Sequence, residues 1–131
     1  MSAATSPSAA TGPALIWCPF PDEAAAERVA EALLTERLVA CANILPAMRS
    51  LYVWRGERAE ARETGVLFKT DAALLARAVE RLAALHPYDE PAVIGWPAAE
   101  APAATRAWLA GLLAPEPTSA HFGEPVQEPA A

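Results

Sequence analysis

Between Ala14 and Leu113 the apolar pattern alternates between strand and helix periods in the order β-α-β-β-α-β, and few folds accept that order. Ala14–Pro19 is a short apolar run stopped by Pro-Phe-Pro, and reads as a buried strand. Asp22 stands where a helix N-cap belongs, with Glu23 in the first turn. Ala26, Val29, Ala30 and Leu33 then recur at helical spacing to about Arg37. Val39–Ile44 and Arg49–Trp54 read as one long strand, bent or bulged at Pro46 and placed at a sheet edge. Arg55-Gly56-Glu57 is the turn, and a strand returns from about Arg62 to Thr70, with Val66 and Phe68 on one face. Asp71 or Thr70 caps a second helix with a core stripe of Leu75, Ala78, Val79 and Leu82, which ends at His86-Pro87. Val93–Trp96 is a last strand, and Pro102 opens a final helix carrying Trp108, Leu109, Leu112 and Leu113. The fold class is therefore α+β, a ferredoxin-like split βαβ with a C-terminal helix.

Composition narrows the function classes. With 53% hydrophobic and 20% charged residues in 131, the chain has the makings of one packed domain. The prolines sort by position: Pro7 and Pro13 mark a loose, disordered arm over residues 1–13, while Pro115, Pro117, Pro125 and Pro129 mark a disordered acidic tail over 114–131. Three of the 16 acidic residues lie in that tail, so half of the net charge of −6 is not the body's. An acidic chain with one Lys is a poor partner for phosphate backbone, which disfavours nucleic acid. No apolar run approaches the roughly 20 residues of a membrane span. The first 13 residues lack the basic cluster and apolar stretch of a signal peptide. With only Cys18 and Cys41 present, reduced thiols and a cytoplasmic location are expected.

Several separated motifs fall in one register. They are Cys18-Pro19, Ala40-Cys41-Ala42-Asn43-Ile44, Ser50-Leu51-Tyr52-x-Trp54-x-Gly56, Glu63, Lys69-Thr70, His86-Pro87-Tyr88-x-x-Pro91 and Trp108-Leu109. Their order and spacing from about Leu15 to Leu113 resemble the CutA divalent-cation tolerance family. The resemblance implies a ferredoxin-like protomer assembled as a homotrimer through its long second and third strands. It further implies an architecture similar to PII-type signalling proteins and an association with Cu(II) or another divalent cation. The chain departs from the pattern at two places: Ala92 and Arg55 stand where the family usually has Glu.

Strand direction decides which candidate ligands can meet. If the first strand runs upward, Cys18 at its end, His86 at the end of the second helix, and Trp54 and Glu63 beside the hairpin all lie at the top. Cys41, opening the second strand, lies at the bottom with Lys69. Six residues of strand separate Glu63 from Lys69, roughly 20 Å, so Cys41 cannot join Cys18 and His86 within one protomer. A thiolate with an imidazole is a reasonable start for copper or zinc, and Glu63, Asp89 or Glu90 could add oxygen, from the same protomer or a neighbour. The plainer readings are a buried core thiol for Cys18, a helix cap for His86, and an intersubunit ion pair for Lys69. Trp54 and Tyr88 suit a cleft wall between subunits, with Arg55 and Lys69 beside them.

The leading expectation is a non-enzymatic trimeric cation-tolerance protein. The alternative is a PII-like sensor holding a small anionic metabolite in the intersubunit cleft through Arg55, Arg58, Arg62 and Lys69. Phosphoryl chemistry is disfavoured, because Cys18-Pro19-Phe20-Pro21 offers only two backbone N–H groups after the first strand. No Gly-rich phosphate loop, His-Glu-x-x-His motif or Ser/His/Asp order is present.

Overall fold

The computed structural model describes residues 11–115. The order is β1 (Pro13–Phe20), α1 (Glu23–Thr35), β2 (Cys41–Trp54), β3 (Glu57–Asp71), a 3₁₀ turn (Ala72–Leu74), α2 (Leu75–Leu85), β4 (Ile94–Pro97), α3 (Ala103–Ala110) and a closing 3₁₀ turn (Gly111–Leu113). The four strands form one antiparallel sheet in the order β2-β3-β1-β4, which is the ferredoxin-like arrangement. Alternate residues of β1 (Ala14, Ile16, Cys18 and Phe20) are fully buried, together with Val66 and Phe68 of β3. Ile16, Cys18, Phe20, Val66 and Phe68 pack with Ala26, Val29 and Leu33 of α1 and Ala78 and Leu82 of α2 into one cluster. Burying those two helical stripes and one sheet face is the main reason the protomer holds together.

Local chemistry sets the element ends. Asp22 is extended and its Oδ1 accepts the Ala25 N–H at 2.8 Å, as an N-cap should. Past the end of α1, Arg37 adopts a positive φ of 58°. Its guanidinium donates to the carbonyls of Gly111 and Ala114, each at 3.1 Å, which ties the C-terminal segment to α1. Asp71 caps the 3₁₀ turn that leads into α2 through the Ala73 N–H. His86 ends α2 in an extended conformation, as a residue before proline must.

Four boundaries differ from the sequence reading. Pro13 belongs to β1, paired with Asp71, and Gly12 accepts the Ala72 N–H at 2.8 Å; these two residues are therefore part of the fold, whereas residues 1–10 and 116–131 of the expected arm and tail lie outside the described residues. β3 begins at Glu57 rather than near Arg62. The stretch Glu57–Glu63 offers only the small Ala59 and Ala61 as alternating apolar residues, but the two-residue turn Arg55-Gly56 delivers it into register with β2, and Arg49 pairs with Glu60 across the hairpin. β4 is Ile94–Pro97, one residue later than expected. Pro102 is the N-cap of α3 and not its first residue. The bend expected at Pro46 is present: the β2–β3 register shifts between Leu45 and Met48, where Ala47 has a φ of 59°, and β2 is an edge strand.

Candidate functional site

The site lies at the end of the sheet where β1 stops, α2 ends and the β2–β3 hairpin rises. Extended strands alternate their side chains, so Ser50, Tyr52 and Trp54 of β2 share a face with Glu63 of β3. The segment between His86 and Ala92 passes beside them, and together they line a groove of about 710 Å³ with Pro19, Arg55, Asp89 and Glu90. Glu63 and Tyr88 are joined directly: the Tyr88 hydroxyl donates to Glu63 Oε2 at 2.9 Å. Burial, with Glu63 adding to it, pushes the Tyr88 phenol up to about 12, so it stays a donor near neutral pH. Arg55 carries its guanidinium carbon 5.3 Å from the Trp54 ring centroid, and its Nη2 lies 3.5 Å from Glu90 Oε2.

Beneath the groove sits a neutral network. His86 is buried and stacks on Phe20, with ring centroids 4.3 Å apart. Its Nε2 lies 2.8 Å from the Pro19 carbonyl, and its Nδ1 accepts the Tyr88 N–H at 3.1 Å. A carbonyl can only accept and a backbone N–H can only donate, so these two bonds assign the neutral tautomer with the proton on Nε2. Burial lowers the His86 pKa from its ordinary value, against the opposing influence of the Pro19 carbonyl and Glu63. Cys18 is fully buried, and its thiol donates to the same Pro19 carbonyl at 3.5 Å. Burial, reinforced by the Glu63 charge, pushes that thiol up to about 12.

This geometry shows where the protomer places the candidate residues. Cys18, His86 and Glu63 share one end of the sheet, as strand direction requires, and in the protomer Cys18 and His86 both engage backbone groups. A metal takes a thiolate and a free imidazole lone pair, so an ion at this end of the sheet would have to displace the Cys18 proton and one of the two backbone contacts of His86. Among the described residues, no three His, Cys, Asp or Glu side chains converge to hold one ion. Of the expected cleft residues, Trp54, Arg55 and Tyr88 come together within one protomer, whereas Lys69 is the cross-strand partner of Leu15 and Cys41, at the far end of the same protomer's sheet. Cys41 is likewise remote, with its thiol donating to Asn43 Oδ1 at 3.4 Å. Arg58 and Arg62 alternate onto the face opposite Glu63, so four basic side chains do not converge. Sequence reasoning missed the pairing of Tyr88 with Glu63 and the part of Tyr52. The alternation Ser50-x-Tyr52-x-Trp54 was the available signal for one shared face.

The fold and the groove define a ferredoxin-like protein whose end groove carries three carboxylates against one guanidinium. Comparison with known proteins makes the assignment more particular. The family described as CutA1 divalent ion tolerance protein matches residues 14–111. The divalent-cation tolerance protein CutA of Thermus thermophilus is 42% identical over 89 residues, covering 68% of this chain and 86% of that protein. The crystal structure of the divalent ion tolerance protein CutA1 from Ehrlichia chaffeensis superposes with a TM-score of 0.74 at 32% identity, covering 79% of this chain and 97% of that one. A solved CutA from Archaeoglobus fulgidus, described as a periplasmic divalent cation tolerance protein, gives a TM-score of 0.73 at 27% identity, over 78% of this chain and 99% of that one. The chain belongs to the CutA divalent-cation tolerance family.

Proposed function

We propose that this chain serves divalent-cation tolerance as a non-enzymatic homotrimer that gathers cations along the end groove. Cu(II) or another divalent ion is held only where a second protomer completes the ligand set. The observation that carries this reading is the charge of the groove, where Glu63, Asp89 and Glu90 outnumber Arg55. Carboxylate oxygens suit hard and borderline divalent ions. Support for assembly comes from large apolar side chains left uncovered on the protomer: Leu51, Val53 and Ile94 are each at least 60% exposed. Exposed apolar side chains of this size mark interaction surface, and these lie on β2 and β4, the two open edges of the sheet.

The anionic-metabolite alternative has less behind it. Its four basic residues are dispersed, and Arg55 already leans on Glu90. Calorimetric titration with Cu(II) and Zn(II) tests the proposal, with the wild type set against a Glu63→Gln/Asp89→Asn/Glu90→Gln variant and a Cys18→Ala variant. The triple variant should lose binding and Cys18→Ala should retain it. Binding that survives the triple variant, or a sedimentation mass of one 13.8 kDa protomer rather than about three, would refute it.

A further inference from the structure

We propose that the groove of a single protomer also accepts an extended organic cation, one carrying guanidinium or ammonium groups, in the place that Arg55 now fills. The inference builds on the groove as a cation site but needs no second protomer. A cavity of about 710 Å³ falls in the range of small-molecule sites and far exceeds the room a bare ion needs. Three aromatic side chains, Tyr52, Trp54 and Tyr88, line it together with Glu63, Asp89 and Glu90. Aromatic faces and carboxylates are the two partners that organic cations seek, the first through the ring quadrupole and the second through charge. Among the described residues, these carboxylates are not gathered into a group of three that could hold one metal ion. Spread acids match spaced positive charges along a flexible chain better than they match a compact ion.

Arg55 supplies the second, independent observation. It is this chain's own guanidinium, placed over the Trp54 ring at 5.3 Å and reaching Glu90 at 3.5 Å, so both contacts demanded of a ligand are already made by a tethered one. Its backbone pays for the position with a φ of 52°, in a turn where Asn or Gly would sit without strain. The side chain is 71% exposed and its ion pair is long, so a free cation can displace it. Tyr88 fixes the opposite wall by holding Glu63 at 2.9 Å.

The test is calorimetric titration with agmatine, which carries one guanidinium and one ammonium group, and with citrate as an anionic control. Wild type, Arg55→Ala, Trp54→Leu, Trp54→Phe and Glu90→Gln are compared, each checked by circular dichroism and sedimentation. We expect agmatine to bind the wild type with a Kd on the order of a millimolar. Removing the tethered competitor in Arg55→Ala should tighten it about three- to tenfold, the worth of one exposed cation–π contact and one exposed ion pair. Trp54→Leu and Glu90→Gln should each weaken it by at least about threefold, and Trp54→Phe, which keeps a ring, should weaken it less than Trp54→Leu. Unchanged or weaker binding in Arg55→Ala, insensitivity to Trp54→Leu, or tighter binding of citrate than of agmatine would overturn the inference. A parallel Cu(II) titration separates the two readings. Copper bound and agmatine refused sinks this inference alone, whereas agmatine bound and copper refused sinks only the metal reading.

Discussion

Replacing His86 with Ala tests the central feature of the site, an imidazole spent on structure and kept neutral. Three contacts vanish together: the bond to the Pro19 carbonyl at 2.8 Å, the bond from the Tyr88 N–H at 3.1 Å, and the stack on Phe20 at 4.3 Å. A neutral hydrogen bond is worth about 0.5–1.5 kcal/mol net, and an aromatic stack about as much beyond its buried area. The Pro19 carbonyl would keep only the Cys18 thiol at 3.5 Å. The sum, discounted for non-additivity among neighbours, is a loss of about 2–4 kcal/mol. Urea unfolding at about pH 8 measures it, with protomer concentration held fixed because assembly contributes to apparent stability. The pH dependence then separates a neutral imidazole from a charged one. The folded pKa of His86 is lowered, so below about pH 6.5 the unfolded chain takes up a proton that the folded one refuses. The wild type should therefore lose stability as pH falls from about 6.5 towards the lowered folded value, at no more than about 1.4 kcal/mol per pH unit. His86→Ala lacks that loss, so its deficit should shrink in acid. A deficit below about 0.5 kcal/mol at pH 8 would show that the network contributes little. A deficit that grows in acid would mean that the α2 C-terminus favours the imidazolium, refuting the neutral assignment.

Gly65→Ala would drive a Cβ into the Trp17 indole and to 3.0 Å from Met48 Sδ; urea unfolding should show a loss of about 1–3 kcal/mol, and unchanged stability would mean that the indole swings aside freely. Thiol labelling of the folded protein near neutral pH should modify Cys41 quickly and leave Cys18, buried and pushed up to about 12, unreacted until unfolding. Cys41→Ser should abolish the fast phase. In a spectrophotometric titration Tyr88 should ionise only near about 12, and Glu63→Gln should lower that midpoint by removing the neighbouring negative charge; an unmoved midpoint would dissociate the two groups.

Much of the architecture was legible because burial imposes a period. Ile16, Cys18 and Phe20 alternate inward, while Ala78 and Leu82 recur one turn apart, and each pattern admits one kind of element. Strand direction also placed Cys18, His86 and Glu63 at one end and Cys41 with Lys69 at the other. The first half of β3 was illegible because Glu57–Glu63 buries little; its pairing is dictated by the turn before it and by β2 beside it. The backbone contacts of Cys18 and His86 were illegible for a related reason. Sequence states which side chains own a lone pair or a thiol, whereas the Pro19 carbonyl and the Tyr88 N–H that occupy His86 are backbone groups that every residue except proline offers in full.

By itself, the sequence of this CutA-family chain determined its element order, its core stripes and the end of the sheet where a site would form, since these follow from chain direction and hydrophobic period. Only the tertiary structure decided protonation and charge balance. Burial at the end of β1 keeps Cys18 and His86 neutral, and the pleat of the hairpin sends Glu63 towards Tyr88 but turns Arg58 and Arg62 away. Both outcomes depend on what surrounds a group in three dimensions, because the free energy of a charge is set by the dielectric and partners around it and not by its neighbours along the chain.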